Sequence, residues 1–205
     1  MKIVVKEELK NILASRKSNS SIAPGFPKNS PDATGLRDLL YNGLQDIYRA
    51  EKQLAISLPK MIMQATSPEL VMALSNHLVV TEEQVVRLEE VFASIGANVQ
   101  AKKCAAMEEL IKEGNEIIKS TLKGVVRDAG IIAASKKIEH YEIATYGTLC
   151  AFAKLLGESE AAELLLQTLN EEKEADDKLT EVTATFINTQ VSGRDANKSG
   201  IETNG

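Results

Sequence analysis

Proline sets the strongest limit on what this chain can become. All five prolines, Pro24, Pro27, Pro31, Pro59 and Pro68, lie in the first third of the sequence, and the remaining 137 of its 205 residues contain none. A stretch that long without proline, rich in Ala, Leu, Glu and Lys, is suited to helices. Only 12 glycines and 4% aromatic residues accompany it, too few for the frequent turns and strand aromatics of a sandwich or barrel. The expected class is therefore all-α.

Apolar residues recurring every three or four positions predict five helices. The first covers about residues 35–64 through Leu40, Leu44, Ile47, Leu54, Leu58 and Met61, with Pro59 expected to kink it or end it early. The second opens at Ser67-Pro68-Glu69, which supplies a cap, a proline at the first helical position and an acid in the first turn, and it stops at Gly96. A short third helix covers 105–119, a fourth runs from Asp128 to Gly157, and a fifth is capped by Ser159. The four long helices of about 28 residues would each be about 42 Å long. The connection over 97–127 is long enough to span a bundle end to end, so that the second and fourth helices run parallel. That describes a ferritin-like four-helix bundle with a short crossover helix.

The ends differ from this body. Residues 1–34 read as an N-terminal arm, extended or partly helical, and 191–205 as a disordered tail, leaving the bundle to 35–190. The net charge of −5 argues against a nucleic-acid partner, which needs a basic face. No apolar run approaches the ~20 residues of a membrane span, and the opening MKIVVKEELK is too polar for a signal sequence. Cys104 and Cys150 lack Cys-x-x-Cys spacing and read as reduced thiols of a cytoplasmic protein.

Acids interrupt the apolar stripes. Helical spacing places Glu51 at a core position of the first helix, Glu142 at one of the fourth, and Glu172 and Asp176 at two of the fifth; Glu139 flanks the stripe three residues before Glu142. The second helix offers Thr81 with His77 or Gln84, according to its rotation. Burying an unpaired carboxylate costs several kcal/mol, and four would consume much of a domain's ~5–15 kcal/mol. Two forms of compensation are open. One is a dinuclear iron or manganese centre, for which carboxylates from several helices are the usual donors. The other is a buried polar network satisfied by Lys52, Arg87, Lys137, Lys173, tyrosine hydroxyls and water. Against metal, neither His77 nor His140 completes a Glu-x-x-His motif. Asp46-x-Tyr48 echoes Glu139-x-Tyr141, placing two tyrosines near the acids.

The same segments carry a family resemblance. Asp46-Ile-Tyr-Arg-Ala-Glu-Lys-Gln-Leu54, Lys103-Cys-Ala-Ala-Met-Glu108, Val126-Arg-Asp-Ala129, Glu139-His-Tyr-Glu-Ile-Ala144, Tyr146-Gly-Thr-Leu149 and Glu171-Glu-Lys173 through Asp176 resemble the YciF/YciE-like bacterial stress proteins over about residues 35–187. The resemblance implies a rubrerythrin-related bundle that is cytoplasmic, dimeric and associated with general stress, with no settled reaction. Where that family commonly reads His-Leu-Glu-Glu-Thr, this chain has His77-Leu78-Val79-Val80-Thr81, so an acid ligand there would be lost. Two functions follow. One is a metal-binding, oxidant-handling stress protein with Glu51, Glu142, Glu172 and Asp176 as ligands and Glu139 and His77 either supporting those ligands or taking their place. The other is a non-enzymatic homodimer acting through its surface and N-terminal arm on a protein partner. The outward apolars Val86, Val91, Val125 and Val126 are candidates for the dimer face.

Overall fold

The computed structural model describes the backbone of residues 30–199 and the side chains of residues 30–185; the expected arm up to residue 29 and the tail beyond 199 lie outside the described residues. Five helices follow in order: α1 (Pro31–Gln64), α2 (Pro68–Ser94), α3 (Ala105–Ser120), α4 (Val125–Leu156) and α5 (Ser159–Ser199). Capping sets several boundaries. The Ser30 hydroxyl accepts from the Ala33 N–H and the Ser67 hydroxyl from the Leu70 N–H, each ahead of a proline at the first helical position. Gly157, at φ 75°, closes α4 in the left-handed region that glycine occupies without steric cost.

Three boundaries depart from expectation. The first helix starts at Pro31 because Ser30 caps it. Pro59 does not end α1, which continues to Gln64; burial of Leu58 and Met61 on either side holds that turn in place. The last helix runs on through residues 192–199, part of the expected tail. No proline interrupts it there, and Gly193 costs only about 1 kcal/mol against alanine.

The four long helices pack in the cyclic order α1, α2, α5, α4, with α3 laid against α4 and α1. Neighbours on this ring are antiparallel. Gly43 meets Leu149 near one end of the α1–α4 pair, and Thr66, just past α1, meets Asp128 at the other. The crossover containing α3 thereby lets α2 and α4 run parallel on one diagonal. Leu40, Leu44, Ile47, Leu54 and Leu58 of α1 join Leu70, Leu74, Leu88 and Phe92 of α2 and Leu165 of α5 in one apolar core. Val91 belongs to that core, whereas Val86, Val125 and Val126 are exposed.

A buried acid locks the α1–α2 corner. Asp128, on the first turn of α4, accepts from the N–H groups of Thr66 and Ser67 at 2.9 and 2.8 Å and from the Thr66 hydroxyl at 2.5 Å. The carboxylate satisfies backbone donors that no helix can use.

Candidate metal centre

At mid-bundle three of the four long helices turn acids toward one another. α1 contributes Glu51, α4 Glu139 and Glu142, α5 Glu172, and none of the four is more than 1% exposed. α2 adds His77, also buried. One ligand atom each from His77, Glu139, Glu142 and Glu172 fall within 4.8 Å of one another. Glu51 stands beside this group. Its Oε1 accepts from the Tyr146 hydroxyl at 2.5 Å, and Glu172 is the nearby charge it feels most.

Most of these atoms have no partner. Glu51 Oε2, both oxygens of Glu142 and His77 Nε2 are buried without a hydrogen bond. Glu139 and Glu172 face each other closely enough to share a proton, with the Gln84 amide beside Glu172, but without that proton Glu139 Oε2 and the Glu172 oxygens are unpartnered too. His77 Nε2 approaches Glu139 Oε1 to 3.4 Å. Carboxylates cannot donate to one another, so the group needs protons or a cation. Burial and mutual repulsion accordingly push Glu51, Glu139 and Glu142 well above the usual carboxylate range. Burial moves Glu172 in the same direction, to about 7, and holds His77 down at about 4.

The basic residues that could have neutralised the acids point elsewhere. Lys52 is exposed and reaches the Tyr48 hydroxyl, Lys137 is exposed and pairs with Glu113, and Lys173 is exposed. Arg87 is the one cation felt by Glu51 and Glu172. Its guanidinium is held by both oxygens of Glu171, at 2.5 and 2.9 Å, and by the Thr168 hydroxyl at 2.8 Å. Nor do the tyrosines singled out from sequence serve the cluster: Tyr48 donates to Glu89 at 2.7 Å, and Tyr141 lies 3.1 Å from the Cys104 thiol.

Asp176 is not part of the cluster. One turn beyond Glu172, it sits at the bundle rim, where Lys136 at 2.6 Å and the exposed His140 at 3.2 Å engage it. Tyr146 is a residue the sequence reading missed. It lies one turn after Glu142 on the same face, an i,i+4 relation that was available. On α2, His77, Thr81 and Gln84 are all buried. Of the two valines after Leu78, Val79 is 56% exposed and turned away from the cluster, whereas Val80 is half-buried and lines the cavity beside His77.

The donor set fits a hard divalent cation. Oxygens dominate, one imidazole joins them, and the pairing Glu139-x-x-Glu142 puts two acids on one face of α4 at the spacing where di-iron bundles carry Glu-x-x-His. Here the imidazole comes from the helix diagonally opposite.

Comparison with known proteins places these residues in context. A family model described as "Domain of unknown function (DUF892)" matches residues 35–192. Protein YciF of Escherichia coli strain K12 is 43% identical over 160 residues, which span 78% of this chain and 96% of that protein. The crystal structure of the E. coli stress protein YciF superposes with a TM-score of 0.73 at 45% identity, covering 75% of this chain and 97% of that one. YcfI of Rhodopseudomonas palustris, named as a candidate structural protein, does so at 0.69 and 45% identity over 71% and 92% of the two chains. A Xanthomonas campestris protein at 22% identity and a TM-score of 0.58 shares the fold, over 76% of this chain and 98% of that one.

Proposed function

The chain belongs to the DUF892 family, as a YciF-like member, and from that premise we propose that it is a stress-response protein holding a dinuclear iron or manganese centre for oxidant handling. One observation carries this reading: buried acids from three helices converge with a histidine from the fourth, while every nearby Lys or Arg is engaged elsewhere or exposed. Glu139, Glu142, Glu172 and His77 would hold the ions, with Glu51 alongside, oriented by the Tyr146 hydroxyl. When bound, such a centre supplies electron transfer to an oxidant. The chain's own part is to keep the acids within reach of one another and to keep Arg87 off them through Glu171. Asp176, paired with Lys136 and His140, is left out of the proposed ligand set.

The test is metal content after loading with Fe(II) or Mn(II) under reducing conditions, read with thermal melting. We expect metal to co-purify and to raise the melting midpoint by mass action, and Glu142→Gln to abolish the rise. Fewer than about 0.2 ions per chain with no shift in melting would refute the reading.

A second reading, a homodimer acting through its surface, is favoured by the outer face of α2. There Met72, Val79 and Val86, spaced by seven, are each more than half exposed, the seam of a helix that pairs with another. Sedimentation of the full chain against Val79→Glu tests it: a dimer made monomeric by the substitution supports pairing through this face, and no change opposes it. Among the described residues no helix is long and apolar enough to cross a membrane.

A further inference from the structure

Between α2 and α5 a cavity of about 360 Å³ leads from the surface down to the cluster. Its walls are mostly apolar, with Ala73, Leu74 and Val80 from α2 and Ala175 and Leu179 from α5. Asn76, Glu171, Glu174 and Lys178 complete the lining. Its floor is His77 and Glu139. Both are buried, and both present an atom without a partner, His77 Nε2 and Glu139 Oε2. Unpaired buried polar atoms are costly, and here they lie at the floor, where an incoming molecule could satisfy them.

Size decides between classes of occupant. A water takes about 30 Å³ of liquid, so dioxygen or hydrogen peroxide would leave most of the cavity unused. The volume falls instead at the lower end of sites for organic ligands, about 300–1,000 Å³. Charge narrows the choice further. A negative head would face Glu139, Glu171 and Glu174. The rim amine of Lys178 offers little relief, because it pairs with Glu181 at 2.8 Å. A positive head would compete with the cation of the cluster. A hydroxyl both donates and accepts and so suits an imidazole nitrogen beside a carboxyl oxygen.

We propose that this cavity is the ligand port of the cluster and takes a small organic molecule with an apolar body and one uncharged hydroxyl or hydroperoxyl head. The assignment rests on the metal-centre reading for its role, though not for its binding. In the metal-free protein the head reaches the floor at His77 and Glu139; once those two side chains hold ions, the head stands beside them at the same end of the cavity, and the body lies in both cases against Leu74, Val80 and Leu179.

The experiment titrates the metal-free full chain with 1-hexanol, followed through the His77 ring signals by NMR. Hexanoate and hexylammonium are run in parallel, and manganese uptake is measured on the same preparation. The expected result is saturable hexanol binding, at least tenfold weaker for the two ions and at least tenfold weaker in Ala175→Leu, which fills the cavity. Ala73→Phe serves as the second filled variant should the first fail to fold. Absence of saturation overturns the port, as does unchanged binding in a folded filled variant or equal binding of hexanoate or hexylammonium. Hexanol binding by a protein that takes up no manganese refutes the metal centre and leaves the port standing; manganese uptake without hexanol binding does the reverse.

Discussion

Removing the charge of Glu172 should flatten the pH dependence of stability in the metal-free protein. Burial raises this carboxyl from its usual 4.5 to about 7. A folded-state pKa above the unfolded one means the contribution is complete below pH 4.5 and is lost as pH rises through 7. At about 1.4 kcal/mol per pH unit, the loss is about 3 kcal/mol, a large part of the ~5–15 kcal/mol that holds a domain together. Glu51, Glu139 and Glu142 move the same way, and Glu139 and Glu172 titrate as a coupled set, so the midpoint belongs to the group. His77 acts oppositely: held near 4, it favours the fold above its ordinary 6.5 and withdraws that support as pH falls toward 4. Its effect is common to wild type and Glu172→Gln and largely cancels in the difference. The assay is urea unfolding in EDTA from pH 4.5 to 8.5. With a slope of about 2 kcal/mol per molar urea, wild type should lose about 1.5 M of midpoint relative to the variant across that range. Manganese should restore the loss in wild type and not in Glu172→Gln. Parallel pH profiles would show that Glu172 is not a buried ionising group and would remove the physical basis for the cluster.

Two other substitutions test the parts that hold the centre. Asp128→Ala strips three hydrogen bonds from the α1–α2 corner and orphans the Thr66 and Ser67 N–H groups; we expect a loss of about 3–5 kcal/mol in urea unfolding, and a loss under 1 kcal/mol would refute the latch. Tyr146→Phe removes the donor on Glu51 Oε1. It should cost the metal-free protein about 1–3 kcal/mol and weaken metal uptake at equilibrium dialysis, an effect a merely structural tyrosine would not have.

The bundle was legible because its signals are local. Ser67-Pro68-Glu69 caps α2, Gly157 ends α4, and the acids Glu51, Glu142 and Glu172 lie on stripes whose period matches the helix. What escaped depends on neighbours. α4 packs on α1, α3 and α5, so it buries an arc far wider than a single stripe; that arc takes in Tyr146, which went unread, and fully buries Glu139, which the spacing had put only on the flank. His77 could not complete a motif within its own helix because its acidic partners come from the diagonal one. Asp176 kept the spacing of a core residue, yet Lys136 and His140 of α4 meet it at the rim. Cations on an adjacent helix are invisible to the periodicity of α5.

The charge of the cluster also bears on how many ions it would hold. Glu51, Glu139, Glu142 and Glu172 carry four negative charges when ionised, and His77, held near 4, carries none at neutral pH. Two divalent ions would bring four positive charges and leave the buried cluster neutral. One ion would leave two negative charges, with Arg87 already bound to Glu171, so about two carboxyls would have to keep their protons. A net charge in a low-dielectric core is expensive, and a retained proton occupies an oxygen that would otherwise be a ligand. Both effects push the second ion to bind once the first has entered. If metal binds, the charge of these four acids would be balanced by a pair of divalent ions and not by one, the stoichiometry of the dinuclear centre proposed above.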